Sequence, residues 1–379
     1  MSIEANRTRL SEMLRQMSAD GASGADKYRA YQYFLSMAAA EKKVPIMGLF
    51  ELTPLCNLDC KMCYVHLQKD QMNGAPLLSV DQWKAIMKQA ADAGMLHATL
   101  TGGECFTYPG FKELYLYLRD CGIMEINILT NGVLVTDDMV DFLCNHKPRA
   151  IQVSVYGASE DAYERVTGHR AFCRVMNNIR KMRDAGLRVQ TVITPNAYMT
   201  DGADIIRLMH EEGFKCSVNS GLSMPRKETG RNLEASDIAE EVALHKLSCR
   251  LQGKYIGQQC EMEHLPEPGG EQEERTVGAL CSAGRRFFAI DWRGGMRPCT
   301  TFNCEAQSVP ELGFVQAWER TVHTAENYPQ PVECQGCSYK KVCVICMAQH
   351  AAGAEIGHAN PRICAWVRQM VAEGLFSLQ

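Results

Sequence analysis

No stretch of this sequence is apolar for anything near the roughly 20 residues that a membrane span needs. The N-terminus, MSIEANRTRL, also lacks the apolar core of a secretion signal. No membrane association is therefore expected, and the cytoplasm is the expected location. Positive charge is scarce: 40 Lys and Arg against 44 Asp and Glu give a formal net charge of -4. A nucleic-acid binder that works through bulk charge is thereby excluded. With 30 glycines and 14 prolines, the chain is neither collagen-like nor low-complexity. No tandem repeat of about 20 to 50 residues is present. What remains is 379 residues, 46% of them hydrophobic, enough for one large or two to three ordinary domains.

Cysteine is abundant instead, with 18 residues. In a reducing compartment such thiols point to metal ligation rather than a disulfide framework. Cys56, Cys60 and Cys63 cluster, eight more fall between Cys281 and Cys364, and seven are scattered.

Residues 1–47 read as a helical segment, with Asp26 to Lys43 free of Pro and Gly. From 48 to 225, short apolar runs alternate with amphipathic stretches. The runs are MGLFEL (47–52), HATLTG (97–102), EINILT (125–130), AIQVSV (150–155), RVQTVIT (188–194) and KCSVN (215–219). The intervening patterns at 79–95 and 171–187 predict helices, the first opened by Ser79 and Asp81, the two closed by Gly94 and Gly186. Such alternation predicts an α/β fold of parallel strands with helical crossovers, an incomplete (β/α)6 barrel. Residues 226–275 break the rhythm and are expected to form a linker or bridging region, with LPEPGGEQEE as an exposed connector. Residues 276–379 form a cysteine-rich region with a short strand at RRFFAID.

The first cysteines follow directly on the first predicted strand, in ELTPLCNLDCKMCYV. Spacings of four and three let one tight loop offer three thiolates to three corners of a cubane. A [4Fe–4S] cluster normally takes four cysteines, so one iron would be left for another ligand. The alternative is zinc or unligated thiols, although zinc favours paired C-x2-C spacings and four ligands.

This C-x3-C-x2-C loop after the first strand of a partial barrel resembles the radical S-adenosylmethionine (SAM) superfamily, with Met62 where an aromatic usually precedes the third cysteine. The resemblance implies that the open iron chelates the amino and carboxylate groups of SAM. Reductive cleavage then gives methionine and a 5′-deoxyadenosyl radical that abstracts hydrogen from a C–H bond. Cys56, Cys60 and Cys63 would be the catalytic cluster ligands. Barrel chemistry belongs at the C-terminal strand ends. There, Gly102, Gly103 and Glu104 resemble the family's GGE motif, the glycines letting the backbone approach the ligand and the carboxylate accepting from the SAM ammonium. Asn131 lies at the pocket rim after the third strand. Ser154 resembles the serine near the SAM carboxylate, with Arg165 as its guanidinium partner, unless Arg165 is simply a solvated helix residue. Val192 would flank the adenine.

In the second field, C-x12-G-x4-C spans Cys281 to Cys299, and Cys334, Cys337, Cys343 and Cys346 form C-x2-C-x5-C-x2-C, followed by Cys364. Two C-x2-C pairs also suit a zinc ribbon. The ordered set resembles the C-terminal SPASM extension of radical SAM maturases, which binds two auxiliary [4Fe–4S] clusters; its last pair is usually C-x3-C. LGFVQAWE (312–319) fits the same extension. The resemblance implies a distal cluster on Cys334, Cys337, Cys343 and Cys364, and a nearer one on Cys281, Cys299 and Cys346. The fourth ligand of the nearer cluster is open among Cys260, Cys304 or none, because Arg275 stands where many relatives have cysteine. Cys105, Cys121, Cys144, Cys173, Cys216 and Cys249 are expected to pack as small buried hydrophobes. His169, His210 and His245 stand singly and are expected to be surface or core residues.

The resemblance implies modification of a ribosomally made peptide, most directly a thioether or other side-chain cross-link. Epimerisation and a small-molecule precursor are enzymatic alternatives, and a non-catalytic Fe–S carrier or zinc-binding regulator is the other class. Thr300 replaces the aspartate that sulfatase maturases carry after the second cysteine of this pair, which counts against that activity. Many peptide maturases place a leader-binding domain before the cluster loop, whereas the residues before Cys56 look helical. Either a separate leader-recognition protein then delivers the peptide or recognition rests on another surface, and an electron donor such as flavodoxin or ferredoxin is the other expected partner.

Overall fold

The structure, a computed structural model, describes residues 11–13, 15–16, 18–19, 23–219, 229, 235–253, 277–279, 281–302, 304–340, 342–343, 346–351 and 354–378. Helix α1 (Gly24–Lys42) precedes six strands, β1 (Met47–Glu51), β2 (His97–Thr101), β3 (Glu125–Thr130), β4 (Ala150–Ser154), β5 (Val189–Ile193) and β6 (Cys216–Val218). Every one coincides with an apolar run of the sequence. They pair in parallel, each with the next. Between them run α2 (Val80–Asp92), α3 (Phe111–Asp120), α4 (Asp137–Asn145), α5 (Glu160–Thr167), α6 (Phe172–Asp184) and α7 (Gly202–Glu211).

Local chemistry explains the helix limits. Ser79 Oγ accepts from Gln82 N at 3.2 Å while Gln82 Oε1 accepts from Ser79 N at 2.8 Å, a reciprocal cap that opens α2. Gly94, at φ +108°, turns the chain out after that helix. Within α2, Trp83, Ile86, Met87 and Ala90 fall on one buried face. Trp83 meets Phe50 of β1 edge-on at 6.0 Å, and Phe50 meets Phe288 at 5.9 Å. Burying a side chain of this size is worth about 1.5–3 kcal/mol, so this layer fastens the helix to the sheet.

The stretch expected to bridge, 226–275, contains a helix, α8 (Ile238–Leu251), opened by Asp237, whose Oδ1 accepts from Ala239 N at 2.8 Å. Ser248 Oγ donates to Cys216 O at 2.8 Å, so α8 packs on β6 as the last helix of the barrel series. The LPEPGGEQEE connector lies outside the described residues, as do Cys260 and Arg275.

The cysteine-rich region is joined to the barrel sheet rather than set apart from it. β7 (Phe287–Ile290) pairs in parallel with β1, and β8 (Gly295–Arg297) and β9 (Gln307–Ser308) follow antiparallel. The sheet therefore has nine strands in the order β6-β5-β4-β3-β2-β1-β7-β8-β9. The exposed edge of β1 would otherwise be unpaired. Helices α9 (Val309–Leu312) and α10 (Phe314–Asn327) cover β7, with Phe314 and Trp318 at 5.1 and 6.1 Å from Phe288. Gly313, at φ +74°, makes the turn between them. Helices α11 (Met347–Ala351) and α12 (Pro361–Ala372) complete the fold. Among the described residues no helix is long and apolar enough to cross a membrane.

Candidate metal centre

The loop after β1 is pinned on two sides. Toward β2, Gly103 N donates to Thr53 O at 2.7 Å and Glu104 N to Leu55 O at 2.9 Å. Toward α5, Asp59 N donates to Thr167 O at 2.9 Å and Lys61 N to Val166 O at 3.0 Å. The two glycines answer to this loop: a Cβ on Gly102 would lie 2.4 Å from Thr53 O, and one on Gly103 2.4 Å from Leu55 O. The sequence suggested an approach of backbone to ligand; the structure adds that the backbone approaches the cysteine loop itself.

The loop turns its cysteines toward donors. Leu58 N lies 3.4 Å from Cys56 Sγ, His66 N 3.3 Å from Cys63 Sγ, and Asn131 Nδ2 3.5 Å from Cys56 Sγ. Cys60 is buried, and the other two are half-buried. Burial pushes the Cys56 thiol up to about 12, with Glu104 and Cys63 adding to the rise and Leu58 N–H and Asn131 opposing it. Holding three thiolates here therefore calls for positive charge, which iron supplies. A zinc ion would need its sulfurs about 2.3 Å from a common centre. A cubane instead takes one thiolate at each of several corners, and the N–H groups directed at sulfur suit it.

Glu104 is 1% exposed. Its carboxylate accepts from Asn131 N at 2.7 Å, Thr130 Oγ1 at 2.8 Å and Phe106 N at 3.1 Å. Burial raises its pKa despite those donors, all of which are neutral. Asn131 links this acid to the cluster loop, since its side chain also donates to Asn57 Oδ1 at 2.9 Å. Ser154 ends β4 half-buried, in register with the buried Val192 of β5. Arg165 is exposed in the last turn of α5, next to the carbonyls that hold the loop.

A family model described as the Radical SAM superfamily matches residues 50–209. Residues 50–209 belong to the radical SAM superfamily. SAM and an iron–sulfur cluster are the cofactors of this domain, and the loop at Cys56, Cys60 and Cys63 fits the cluster. The sporulation killing factor maturation protein SkfB of Bacillus subtilis is 29% identical over 259 residues, 68% of this chain and 60% of SkfB. The chain thus spans less than two thirds of that relative's length. The AdoMet-dependent heme synthase of Methanosarcina barkeri is 25% identical over 334 residues, 82% of this chain and 93% of that protein. SuiB of Streptococcus suis, solved with S-adenosylmethionine, shares the fold with a TM-score of 0.66 at 17% identity, over 96% of this chain and 89% of SuiB. SuiB has also been solved with its precursor peptide SuiA. The shared architecture is a partial (β/α)6 barrel with a cysteine-rich SPASM extension.

Around the radical SAM loop stand residues that the sequence did not signal. Burial raises the Tyr156 and Tyr163 phenols, and the nearby Cys60 adds to both rises. The two rings meet edge-on at 5.9 Å. Tyr156 lies two residues beyond Ser154, the one sequence cue to its place at the strand end. His66 is buried, with Nδ1 3.4 Å from Asp59 Oδ1.

In the second cysteine field, Cys281, Cys299, Cys304, Cys334, Cys343 and Cys346 all pack against one apolar cluster that includes Phe302 and Tyr328. Burial pushes Cys299 up to about 12, and Cys281 and Cys346 beside it add to the rise. Burial likewise pushes Cys343 up to about 12, reinforced by Cys334, Cys364, Cys337 and Cys346. Burial pushes Cys304 up to about 11, with Arg297 and Glu305 as the charges beside it. Tyr328 Oη and His350 Nε2 are buried here with no hydrogen-bond partner among the described residues. Thiols gathered in this way with buried donors nearby suit sulfur-rich clusters.

Cys105 is buried, as expected, and its thiol donates to Leu129 O at 3.3 Å. Cys216 and Cys249 are buried too, and Cys121 and Cys144 are half-buried. Cys173 departs from the expectation: it is exposed in the first turn of α6, where its N–H donates to Glu160 at 2.8 Å. His169 and His210 are exposed.

Proposed function

We propose that this chain cleaves SAM reductively and uses the resulting 5′-deoxyadenosyl radical to abstract hydrogen from a ribosomally made peptide, leading to a thioether or other side-chain cross-link. The observation that carries the reading is the loop of Cys56, Cys60 and Cys63, with N–H groups directed at its sulfurs and a buried acid at its back. The cluster supplies the electron for the cleavage. The chain's own residues bind and orient. Glu104, surrounded by neutral donors, would gain a cationic partner in the SAM ammonium, and the strand ends at Gly102 and Gly103 bring the backbone to the same place. Ser154 and Arg165 take the SAM carboxylate, Arg165 by swinging in from the surface. Val192 flanks the adenine, and Asn131 fixes the rim.

Two auxiliary [4Fe–4S] clusters belong to this reading, one on Cys334, Cys337, Cys343 and Cys364, the other on Cys281, Cys299 and Cys346. The fourth ligand of the second is Cys304, Cys260 or a substrate thiolate. A flavodoxin or ferredoxin delivers the electron, and a separate protein presents the peptide leader. The peptide substrate is supported by SkfB, named as a maturation protein, and by SuiB, solved with a precursor peptide.

The test is anaerobic reconstitution followed by measurement of 5′-deoxyadenosine under reducing conditions. The triple variant Cys56→Ala, Cys60→Ala, Cys63→Ala should form none. Deuterium carried from a labelled peptide into 5′-deoxyadenosine would support the peptide substrate. A small-molecule precursor is the second reading, favoured by the match to 93% of the heme synthase's length. Deuterium transfer from a labelled tetrapyrrole, with none from any peptide, would decide for it.

A further inference from the structure

We infer that His350 tunes an auxiliary cluster, donating its Nε2–H to a sulfur of the cluster assigned to Cys281, Cys299 and Cys346. The inference rests on the auxiliary-cluster reading above.

His350 is 2% exposed. It lies one helical turn beyond Cys346, and its backbone N donates to Cys346 O at 3.0 Å, so the two side chains share a helix face. On one side of the ring, Nδ1 accepts the backbone N–H of Asn360 at 2.9 Å. A ring nitrogen that accepts from an amide carries no proton, so the imidazole proton is on Nε2 and the ring is neutral. Nε2–H has no hydrogen-bond partner among the described residues. A buried donor left without an acceptor is costly and calls for one.

The ring is fixed in that orientation. Asn360 Nδ2 donates to Gln349 O at 3.2 Å, its Oδ1 accepts from Arg362 N at 3.0 Å, and its carbonyl accepts from Cys364 N at 3.3 Å. His350 is thus clamped between the helix that begins after Cys346 and the segment that leads to Cys364. Nδ1 is taken up by the second, which leaves Nε2 as the ring's one free donor among the described residues, and the residue one turn before it, Cys346, stands beside Cys281 and Cys299. A hydrogen bond to cluster sulfur stabilises the more negative reduced state and raises the potential. His350 therefore makes that cluster easier to reduce than it would be without the donor.

The experiment uses the reconstituted full chain, with iron and sulfide analysis and an EPR-monitored redox titration. His350→Phe keeps a ring and removes the donor. His350→Gln keeps an N–H for sulfur and an oxygen for Asn360 N. The expected result is a more negative potential for one auxiliary cluster in His350→Phe, most of it regained in His350→Gln, with the SAM cluster unmoved. Pulsed EPR on protein carrying 15N-histidine should show a nitrogen and an exchangeable proton coupled to that cluster in the wild type. This measurement decides the matter even if His350→Phe folds poorly. Unshifted potentials at full iron content, or no coupled histidine, would overturn the inference and leave the auxiliary clusters standing. Wild-type iron sufficient for the SAM cluster alone would overturn both.

Discussion

Asn131 touches both the buried acid after β2 and the cysteine loop after β1: its backbone N–H donates to Glu104 Oε2 at 2.7 Å while its side-chain amide lies 3.5 Å from Cys56 Sγ. One residue at the end of β3 thus ties the acid after β2 to the first cysteine of the loop after β1. The side chain cannot swing freely, because its Oδ1 also accepts from Val133 N at 3.0 Å. An amide held in this way presents N–H to sulfur at no reorganisation cost.

Asn131→Ala should retain the cluster and lose function. The backbone bond to Glu104 survives the substitution; the donor to sulfur does not. Outer-shell changes of this kind cost about 10–100-fold in metal affinity or activity. The rate of 5′-deoxyadenosine formation, measured at matched iron content, should fall within that range. An unchanged rate would show that the amide only fills space.

Gly103→Ala attacks the same pocket through packing. The new Cβ would lie 2.4 Å from Leu55 O and 2.6 Å from Pro54 O, both backbone atoms that cannot rotate away. Relief requires the cysteine loop to back off from β2, breaking the 2.7 Å bond from Gly103 N to Thr53 O. Overpacking of this kind costs about 1–3 kcal/mol. The variant should fold, as judged by circular dichroism, but take up less iron at the SAM site, losing the signal of a SAM-bound cluster while other iron remains.

The legible parts of this molecule are those set by local pattern. Each of the six strands from Met47–Glu51 to Cys216–Val218 stands in an apolar run, and the Ser79 cap and Gly94 exit of α2 follow from residue type alone. The cysteine spacings are local as well, and they point to the metal loop. The less legible parts are non-local. Nothing in RRFFAID says that β7 will pair with β1, more than two hundred residues earlier in the chain, because a strand's partner is set by which edge is open. Tyr163 reaches Cys60 from a helix whose sequence shows only amphipathicity. The role of Gly103 against Leu55 O requires the register of β1 and β2, which no single segment encodes. His350 looks like any solitary histidine until burial and Asn360 fix its tautomer.

His245 gives the protein a built-in sensitivity to acid. Its ring lies on α8, 5.8 Å from Trp366 of α12, and burial holds its pKa down to about 4. An unfolded chain regains the ordinary imidazole value, near 6.5. The stabilising effect of a depressed pKa is present above that ordinary value and is lost as pH falls from it toward 4, since the unfolded state then binds the additional proton. His245→Phe keeps an aromatic ring against Trp366 and removes the titration. Its thermal midpoint should therefore fall less steeply than that of the wild type between about pH 6.5 and 4. Parallel curves would mean that the ring takes up its proton in the folded state without penalty.

The two cysteine groups of the C-terminal region make separable predictions about iron. Cys334, Cys364 and Cys337 raise the pKa of Cys343, whereas Cys281 raises that of Cys299; Cys346 acts on both and stands between the two sets. Cys334→Ala with Cys337→Ala should remove about four irons per chain and leave the rest, since a [4Fe–4S] cluster needs its thiolates. Cys281→Ala with Cys299→Ala should remove a similar amount and spare the first set. Cys304→Ala discriminates further. With Arg297 and Glu305 as its charged neighbours, it should leave the iron content unchanged and alter only the spectrum of the nearer cluster if it serves as that cluster's fourth ligand. Iron analysis and Mössbauer spectra of the three variants check this. Equal loss from both sites in either double variant would mean that the extension folds around its metals as one unit, with no independent sites.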